Sequence, residues 1–355
     1  MNNTNYDLSG FKLAPLEDPY LIAEIGVNHE GSLETAKLLI DQAKEGGANA
    51  AKFQTYKAES LASKNSPSYW DTDKEETKSQ YELFKKYDKF NEEQFIELSE
   101  YCKKIDIDFI STPFDEKAVE FLDSLMPFFK IASADLTNVP LLRKTGSKNK
   151  PIILSTGAST LGEIDTAIKI LEDSGAKNII LLHCILNYPT SNENAHLKMI
   201  KSLIKCFPNY LIGYSDHTLP NNNMTPLVTA WLLGAVVLEK HFTNNKSLPG
   251  NDHYHAMDKN DIINFKKEIK LIKSLLGKEN HKKPINTEGA AINNARRSIV
   301  LKTKVNSGEI LSDKILTCKR PGTGISACNW DRIIGKRIRF NLDEDHILQW
   351  SDIED

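Results

Sequence analysis

The chain has few cysteines and no CxxC pair: Cys102, Cys184, Cys206, Cys318 and Cys328 are scattered through 355 residues. An odd, dispersed set in a chain this long argues against a disulfide framework and fits a reducing compartment. No run of 18 apolar residues occurs, and the amino terminus, MNNTNYDLSGFKLAP, lacks a basic segment followed by an apolar stretch. The sequence therefore predicts a cytoplasmic protein without a membrane partner. Charge of one sign is also missing, since 45 Lys and Arg are interspersed with 48 Asp and Glu for a net charge of -3. That excludes a broad nucleic-acid-binding surface, so no nucleic acid is expected as a partner. No GxGxxG follows the first apolar run, which removes support for a dinucleotide-binding sheet.

What is present is an alternation. Short, nearly continuous apolar runs recur at YLIAEIG (20–26), AAKFQ (50–54), DFISTP (108–113), FFKIAS (128–133), PIILST (151–156), NIILLHC (178–184), YLIGYSD (210–216) and VVLEKHF (236–242). Such runs suit strands of a parallel sheet buried on both faces. Helical patterns lie between them, beginning with SLETAKLLIDQAKEGG, which starts at a Ser cap and stops at a Gly pair. Others are expected at 91–104, 115–124, 138–147, 160–174, 193–206, 222–234 and 259–276. Eight strands alternating with eight helices predict an α/β fold, a (β/α)₈ TIM barrel.

The expected organisation is an N-terminal extension (1–19), the barrel (20–277), a polar linker (278–292) and a small, mostly β domain (293–355). The last is read from its short, turn-punctuated runs with Ser-Gly, Pro-Gly and Thr-Gly. A long charged, Tyr-rich insertion (57–90) leaves the second strand, where a lid or a partner contact is expected.

A barrel draws its reacting groups from the C-terminal ends of its strands. Here those ends carry Glu24 and Asn28-His29, Lys52 and Gln54, Ser111-Thr112, Lys130 with Ser133 and Asp135, Ser155, His183 and Tyr188, Ser215-Asp216-His217, and Glu239-Lys240-His241. Ionisable groups inside apolar runs are costly unless paired or coordinated. His217 and His241 end sequential strands, and at a strand spacing of about 5 Å both imidazoles reach one metal ion. Two imidazoles leave the shell open, which suits a Lewis-acid divalent cation such as Mn²⁺ or Mg²⁺; the alternative is two hydrogen-bonded core histidines. His253 and His255, in GNDHYHAM, form a competing pair. Lys52 and Lys130, with the hydroxyls of Ser133, Ser155 and Ser215, make a phosphate or carboxylate cradle. Alternatively the lysines pair structurally with Glu24, Asp135 or Glu239, or one forms a Schiff base. Arg320 precedes a Pro-Gly turn, where it binds a sugar hydroxyl or carboxylate or is simply a surface arginine.

In order along the chain, AEIGVNHEGS (23–32), AAKFQTY (50–56), STPFD (111–115), KIAS (130–133), LSTGAS (154–159), LHC…YPT (182–190), IGYSDHT (212–218), LEKHFT (238–243) and LPGNDH (248–253) resemble the sialic acid synthases. This is the N-acetylneuraminate synthase family with its legionaminate and pseudaminate relatives. RRSI (296–299) and KRPGTGIS (319–326) resemble the family's C-terminal antifreeze-like SAF domain. The resemblance implies a metal-dependent transferase that condenses phosphoenolpyruvate with an N-acetylmannosamine-like amino sugar to give a nonulosonate and phosphate. It implies that His217 and His241 hold the cation and that Lys52, Thr112, Lys130, Ser133, Ser155 and Ser215 surround phosphoenolpyruvate. Gln54, Asp135, Tyr188 and Asp252 would face the sugar, with Arg320 delivered by the partner of a domain-swapped homodimer. Glu24 or Glu239 would take a proton from the water that attacks C2. Two departures bear on the acceptor: KIASAD stands where the family has KIGSGE, and apolar Leu186 stands where a polar residue is common. Asp135 is one methylene shorter than the family's Glu, and Leu186 favours a 6-deoxy or otherwise altered acceptor unless Asn187 compensates by a small backbone shift; the alternative product is then legionaminate or pseudaminate. The competing readings are a lyase-type aldolase with Lys130 as Schiff base, and a non-catalytic ice-binding protein.

Overall fold

A computed structural model of the chain describes residues 6–68, 70, 75–250 and 252–354. Two compact units divide it, Met1–Gly277 and Lys278–Asp355.

The first unit opens with an antiparallel hairpin, β1 (Tyr6–Leu8) and β2 (Phe11–Leu13). Eight strands follow: β3 (Tyr20–Gly26), β4 (Ala50–Thr55), β5 (Asp108–Pro113), β6 (Phe129–Ile131), β7 (Ile152–Ser155), β8 (Ile179–Cys184), β9 (Leu211–Asp216) and β10 (Val237–His241). They form one parallel sheet in the order β5-β4-β3-β10-β9-β8-β7-β6. Its outer strands, β5 and β6, lie alongside each other, so the sheet closes into a TIM-like barrel. The residues of these strands are almost all buried, as continuous Ile, Leu, Val and Phe runs require when helices cover the outer face.

Those helices are α1 (Leu33–Gly46), α4 (Glu92–Lys104), α5 (Glu116–Leu122), α6 (Val139–Gly146), α7 (Leu161–Asp173), α8 (Lys198–Cys206), α9 (Thr225–Leu232) and α10 (Lys259–Leu276). The insertion after β4 holds two short ones, α2 (Ala58–Leu61) and α3 (Gln80–Tyr87). Capping fixes several starts. The Ser32 hydroxyl accepts from the Thr35 amide, and Asn91 with Gln94 and Thr160 with Glu163 form capping boxes.

Three segments differ from the sequence pattern for local reasons. The helix expected at 193–206 starts only at Lys198, because a 3₁₀ turn at Asn192–Asn194 and a left-handed His196 (φ 44°) precede it. The helix expected at 222–234 starts at Thr225, after a left-handed Met224 (φ 49°) and with Pro226 in its first turn. In FFKIAS only Phe129–Ile131 is strand, and Ser133–Asp135 turns away as a 3₁₀ segment. Among the described residues no helix is long and apolar enough to cross a membrane.

In the second unit, residues 278–292 carry a 3₁₀ turn at Asn286–Glu288 and the start of α11 (Gly289–Ala295). Beyond them β11 (Ser298–Leu301) pairs antiparallel with β12 (Leu316–Lys319), and α12 (Trp330–Ile333) follows. Isolated bridges such as Val300 to Ile347 and Val305 to Leu342 complete a small β fold. It closes over its own core of Ile299, Leu301, Leu316, Ile325, Ile338 and Leu348.

Candidate active site

At the C-terminal ends of the barrel strands lies a cavity of about 450 Å³. Its floor is a charge network that joins β3, β4, β6 and β10 across the barrel interior. Lys52 pairs with Glu24 (2.5 Å) and approaches Glu239 (3.7 Å), which Lys130 also approaches (3.6 Å). Lys130 donates to the Ser155 hydroxyl (2.7 Å), Lys52 to Thr112 (3.4 Å), and Ser215 to Glu239 (3.0 Å). Gln54 donates to Glu24 (2.8 Å). Gly26, at φ +53°, leaves room for that contact, because a Cβ there would lie 3.0 Å from Glu24 Oε1 and 3.2 Å from Gln54 Nε2.

The two carboxylates are not equivalent. Burial alone would raise Glu239, yet Lys130 and Lys52 outweigh it and hold the carboxyl at about 2. Burial raises Glu24 above its usual 4.5, and the opposing pull of Lys52 does not cancel it. Burial depresses the Lys130 ammonium; for Lys52 the nearby Glu239 and Glu24 overcome burial and raise it.

The strand period of two sorts the polar strand ends. Ser215 and Glu239 are register partners and both line the cavity. Asp216 and Lys240, one residue further along each strand, are also partners, and they form a buried ion pair (2.8 Å) outside the lining. Asn28, His29 and His183 also lie outside it. Asn28 donates to the Phe242 carbonyl (2.9 Å), the His29 ring stacks on Phe90 (4.1 Å), and His183 Nε2 bonds the Ala195 carbonyl (2.9 Å).

A histidine cluster forms the adjoining wall. The rings of His217 and His241 are 5.5 Å apart, and Tyr188 packs on His217 at 4.1 Å. His217 Nδ1 donates to the Ile185 carbonyl (2.8 Å), which leaves Nε2 as the lone-pair nitrogen. His241 Nδ1 is buried without a hydrogen bond and faces Asp252 Oδ2 at 3.4 Å. His241, Asp252 and His255 present ligand atoms within 4.8 Å of one another. Asp252 is driven down although burial opposes this, because His241, His255 and His217 surround it. Imidazoles beside an ionised carboxylate, with buried nitrogens lacking partners, fit a divalent cation. Of the GNDHYHAM pair, His253 is engaged elsewhere, bonded to Thr243 (2.7 Å), whereas His255 faces His241.

The remaining expected residues fall into place or apart. Ser133 lines the cavity and accepts from the Gly157 amide (3.0 Å). Asp135 also lines it; it stays outside the lysine network and accepts from Asn138 (3.1 Å), with its carboxyl raised by burial. Tyr188 and Asp252 line the cavity beside His217 and His241. Arg320 is exposed on the second unit, just before the Pro321-Gly322 turn. The 57–90 insertion, where a lid or a partner contact is expected, supplies Leu61, Leu83, Phe84 and Tyr87, which with Tyr56 form an apolar wall of the cavity. Leu186, suspected of shaping the acceptor, lines the same cavity.

Residues 39–281 match the NeuB family and residues 296–354 match the SAF domain. The chain belongs to the NeuB family and is an enzyme of it. It is 44% identical over 95% of its length to the uncharacterized protein MJ1065 of Methanocaldococcus jannaschii, covering 95% of that protein. To the N,N'-diacetyllegionaminic acid synthase of Legionella pneumophila it is 40% identical, with 94% of each chain covered. The solved N-acetylneuraminic acid (sialic acid) synthetase of Leptospira borgpetersenii superposes with a TM-score of 0.70 at 30% identity, covering 81% of this chain and 94% of that one. Together these place the chain among nonulosonate synthases.

Proposed function

We propose that the chain condenses phosphoenolpyruvate with an N-acetylmannosamine-type amino sugar, in the cytoplasm, to give N-acetylneuraminate or a close relative plus phosphate. The observation that carries this reading is the pair of buried ammonium groups, Lys52 and Lys130, ringed by Thr112, Ser155 and Ser215 and set beside the histidine wall. Such a cradle suits the phosphate and carboxylate of phosphoenolpyruvate. His217 and His241 would hold a divalent cation, Mn²⁺ or Mg²⁺, which supplies Lewis-acid polarisation of a carbonyl oxygen.

In this reaction C3 of the enol forms a bond to the aldehyde carbon of the open-chain sugar. Water then adds at C2, and Glu24 takes its proton; the aldehyde oxygen takes up one proton equivalent. The C2–O bond to phosphate breaks, the C2 hydroxyl loses its proton to the leaving phosphate, and a ketone remains. Glu24 is the better base because Glu239 is held ionised at about 2 by both lysines, whereas the Glu24 carboxyl is raised toward working pH. Gln54, Asp135, Tyr188 and Asp252 would orient the sugar. Arg320, on the SAF domain of a partner subunit in a domain-swapped homodimer, would cover it.

A second reading concerns the acceptor. Leu186 and the apolar wall favour a diacetamido-trideoxyhexose, whose deoxy carbon needs no hydrogen-bond partner, and hence a legionaminate- or pseudaminate-type product. Mass spectrometry of products from phosphoenolpyruvate with N-acetylmannosamine, its 6-phosphate and the diacetamido-trideoxyhexoses separates the two. Formation of no nonulosonate from any of them overturns both. A borohydride-stable pyruvate adduct at Lys130 would replace them with the aldolase mechanism, and activity unchanged by EDTA would remove the cation.

A further inference from the structure

We propose that His255 is a protein ligand of the divalent cation, joining His241 and Asp252. This rests on the reading that the site holds such an ion, and it goes beyond the His217–His241 pair that the sequence pattern suggested. The segment after β10 returns to the strand end that carries His241. Phe242 bridges Met257 in parallel, the Met257 amide donates to the His241 carbonyl (2.7 Å), and the Thr243 amide donates to Met257 (2.9 Å). That closed loop brings Asp252 and His255 back against His241, with the His241 and His255 rings 4.8 Å apart and His255 Nε2 3.8 Å from Asp252 Oδ1.

The state of His255 differs from that of the histidines with structural roles. His183 and His253 are buried and each makes a ring hydrogen bond, to the Ala195 carbonyl and the Thr243 hydroxyl; His29 accepts from the Gly31 amide. The His255 ring is fully buried, and neither nitrogen has a hydrogen-bond partner. Packing alone is better served by an apolar ring, since a buried polar atom without a partner is destabilising. A cation accepted by a lone-pair nitrogen turns that into a favourable contact, and Asp252 between two imidazoles supplies the anionic donor that a divalent ion prefers. His241 is common to both donor sets, whereas His217 falls outside the group of His241, Asp252 and His255.

The test is Mn²⁺ binding to the metal-stripped full chain, by calorimetry, for wild type and for His255→Phe, His217→Ala and His241→Ala. His255→Phe keeps a ring in the space, and its melting curve reports folding. The expected result is a loss of Mn²⁺ affinity of about tenfold or more in His255→Phe, the scale seen when support of a metal site is removed. Affinity within twofold of wild type in His255→Phe, with large losses in His217→Ala and His241→Ala, overturns the proposal and leaves the two-histidine site standing. No loss in any variant overturns the metal site itself. Should His255→Phe melt abnormally, His255→Ala with isotopically labelled imidazole decides by pulsed electron paramagnetic resonance. A nitrogen coupling from the added imidazole on Mn²⁺, absent in wild type, is expected; its absence in the variant overturns the proposal.

Discussion

Replacing Lys240 with Met tests the claim that the barrel is held by a buried ion pair distinct from the floor of the cavity. Both side chains of the pair are essentially inaccessible, 0% for Lys240 and 1% for Asp216, and the ammonium also donates to the Thr218 carbonyl (2.6 Å). Removing one member of a buried pair typically destabilises by about 3–5 kcal/mol, because the other charge is stranded. Asp216 keeps three hydrogen bonds on Oδ1, from Tyr214 (2.9 Å) and from the amide (2.9 Å) and hydroxyl (2.8 Å) of Thr218. That retained support sets the expectation at the lower end, about 3 kcal/mol, or a melting temperature lower by about 6–12 °C for a unit of this size. Urea unfolding followed by far-UV circular dichroism reads it, since the long helices belong to the barrel. Adding Asp216→Asn should recover much of the loss, with a coupling of about 2 kcal/mol. In wild type, burial would raise Asp216 but Lys240 outweighs it and keeps it below 3.8, so its ionic contribution is present above that pH and is lost as pH falls through the depressed value. The wild-type advantage should therefore shrink below about pH 4. A loss under about 1 kcal/mol, or no coupling with Asp216→Asn, would refute the reasoning.

Other substitutions test neighbouring statements. Gly213→Ala places a Cβ 2.4 Å from both the Val237 carbonyl oxygen and Leu182 Cδ2, so the barrel should lose about 1–3 kcal/mol or more in the same unfolding assay, whereas Gly162→Ala, where nothing lies within 4 Å, should not. Glu24→Gln should lower kcat by about 10²–10⁴-fold with little change in KM for phosphoenolpyruvate. Because the Glu24 carboxyl is raised above 4.5, wild-type kcat should decline on the acid side through that raised value, and the variant should lack this limb. Arg320→Ala should raise KM for the sugar by about 10–100-fold, the worth of a charged hydrogen bond, and leave KM for phosphoenolpyruvate within about twofold. Equal effects on both would argue against its assigned role.

The barrel was legible because a strand covered on both faces must be apolar throughout, and all eight such runs became strands. Their starts and stops were less legible where backbone conformation departs from propensity, as at left-handed Met224 and His196. The floor of the site was legible for the same reason, since Glu24, Lys52, Lys130 and Glu239 are conspicuous inside apolar runs. What the sequence did not display was the side each polar residue takes. Asp216 and Lys240 looked equal to Ser215 and Glu239, and only the register, which pairs Asp216 with Lys240 and Ser215 with Glu239, separates scaffold from cavity. That His255 faces His241 while His253 turns to Thr243 was not legible, because a loop residue has no period to reveal its direction. The insertion at 57–90 stood out by its length and place, but which of its residues line the cavity, Phe84 and Tyr87 among them, depends on contacts that no local pattern encodes.

The floor also sets Glu24 apart from Glu239. Two ammonium groups face two carboxylates there, so an entering phosphate meets cations that are already engaged. A further anion in so dry a site must displace a carboxylate from a lysine or place a proton on it. Glu239 is the poorer candidate, because it touches both Lys52 and Lys130 and accepts from Ser215. Glu24 has one lysine and the Gln54 amide, and burial already lifts its carboxyl. The group with fewer cationic contacts is Glu24, which meets Lys52 from the adjacent β4, whereas Glu239 on β10 meets Lys52 from β4 and Lys130 from β6 across the barrel. Sequence alone presents two similar glutamates at strand ends; the closed barrel sets Glu239 between two lysines and Glu24 beside one.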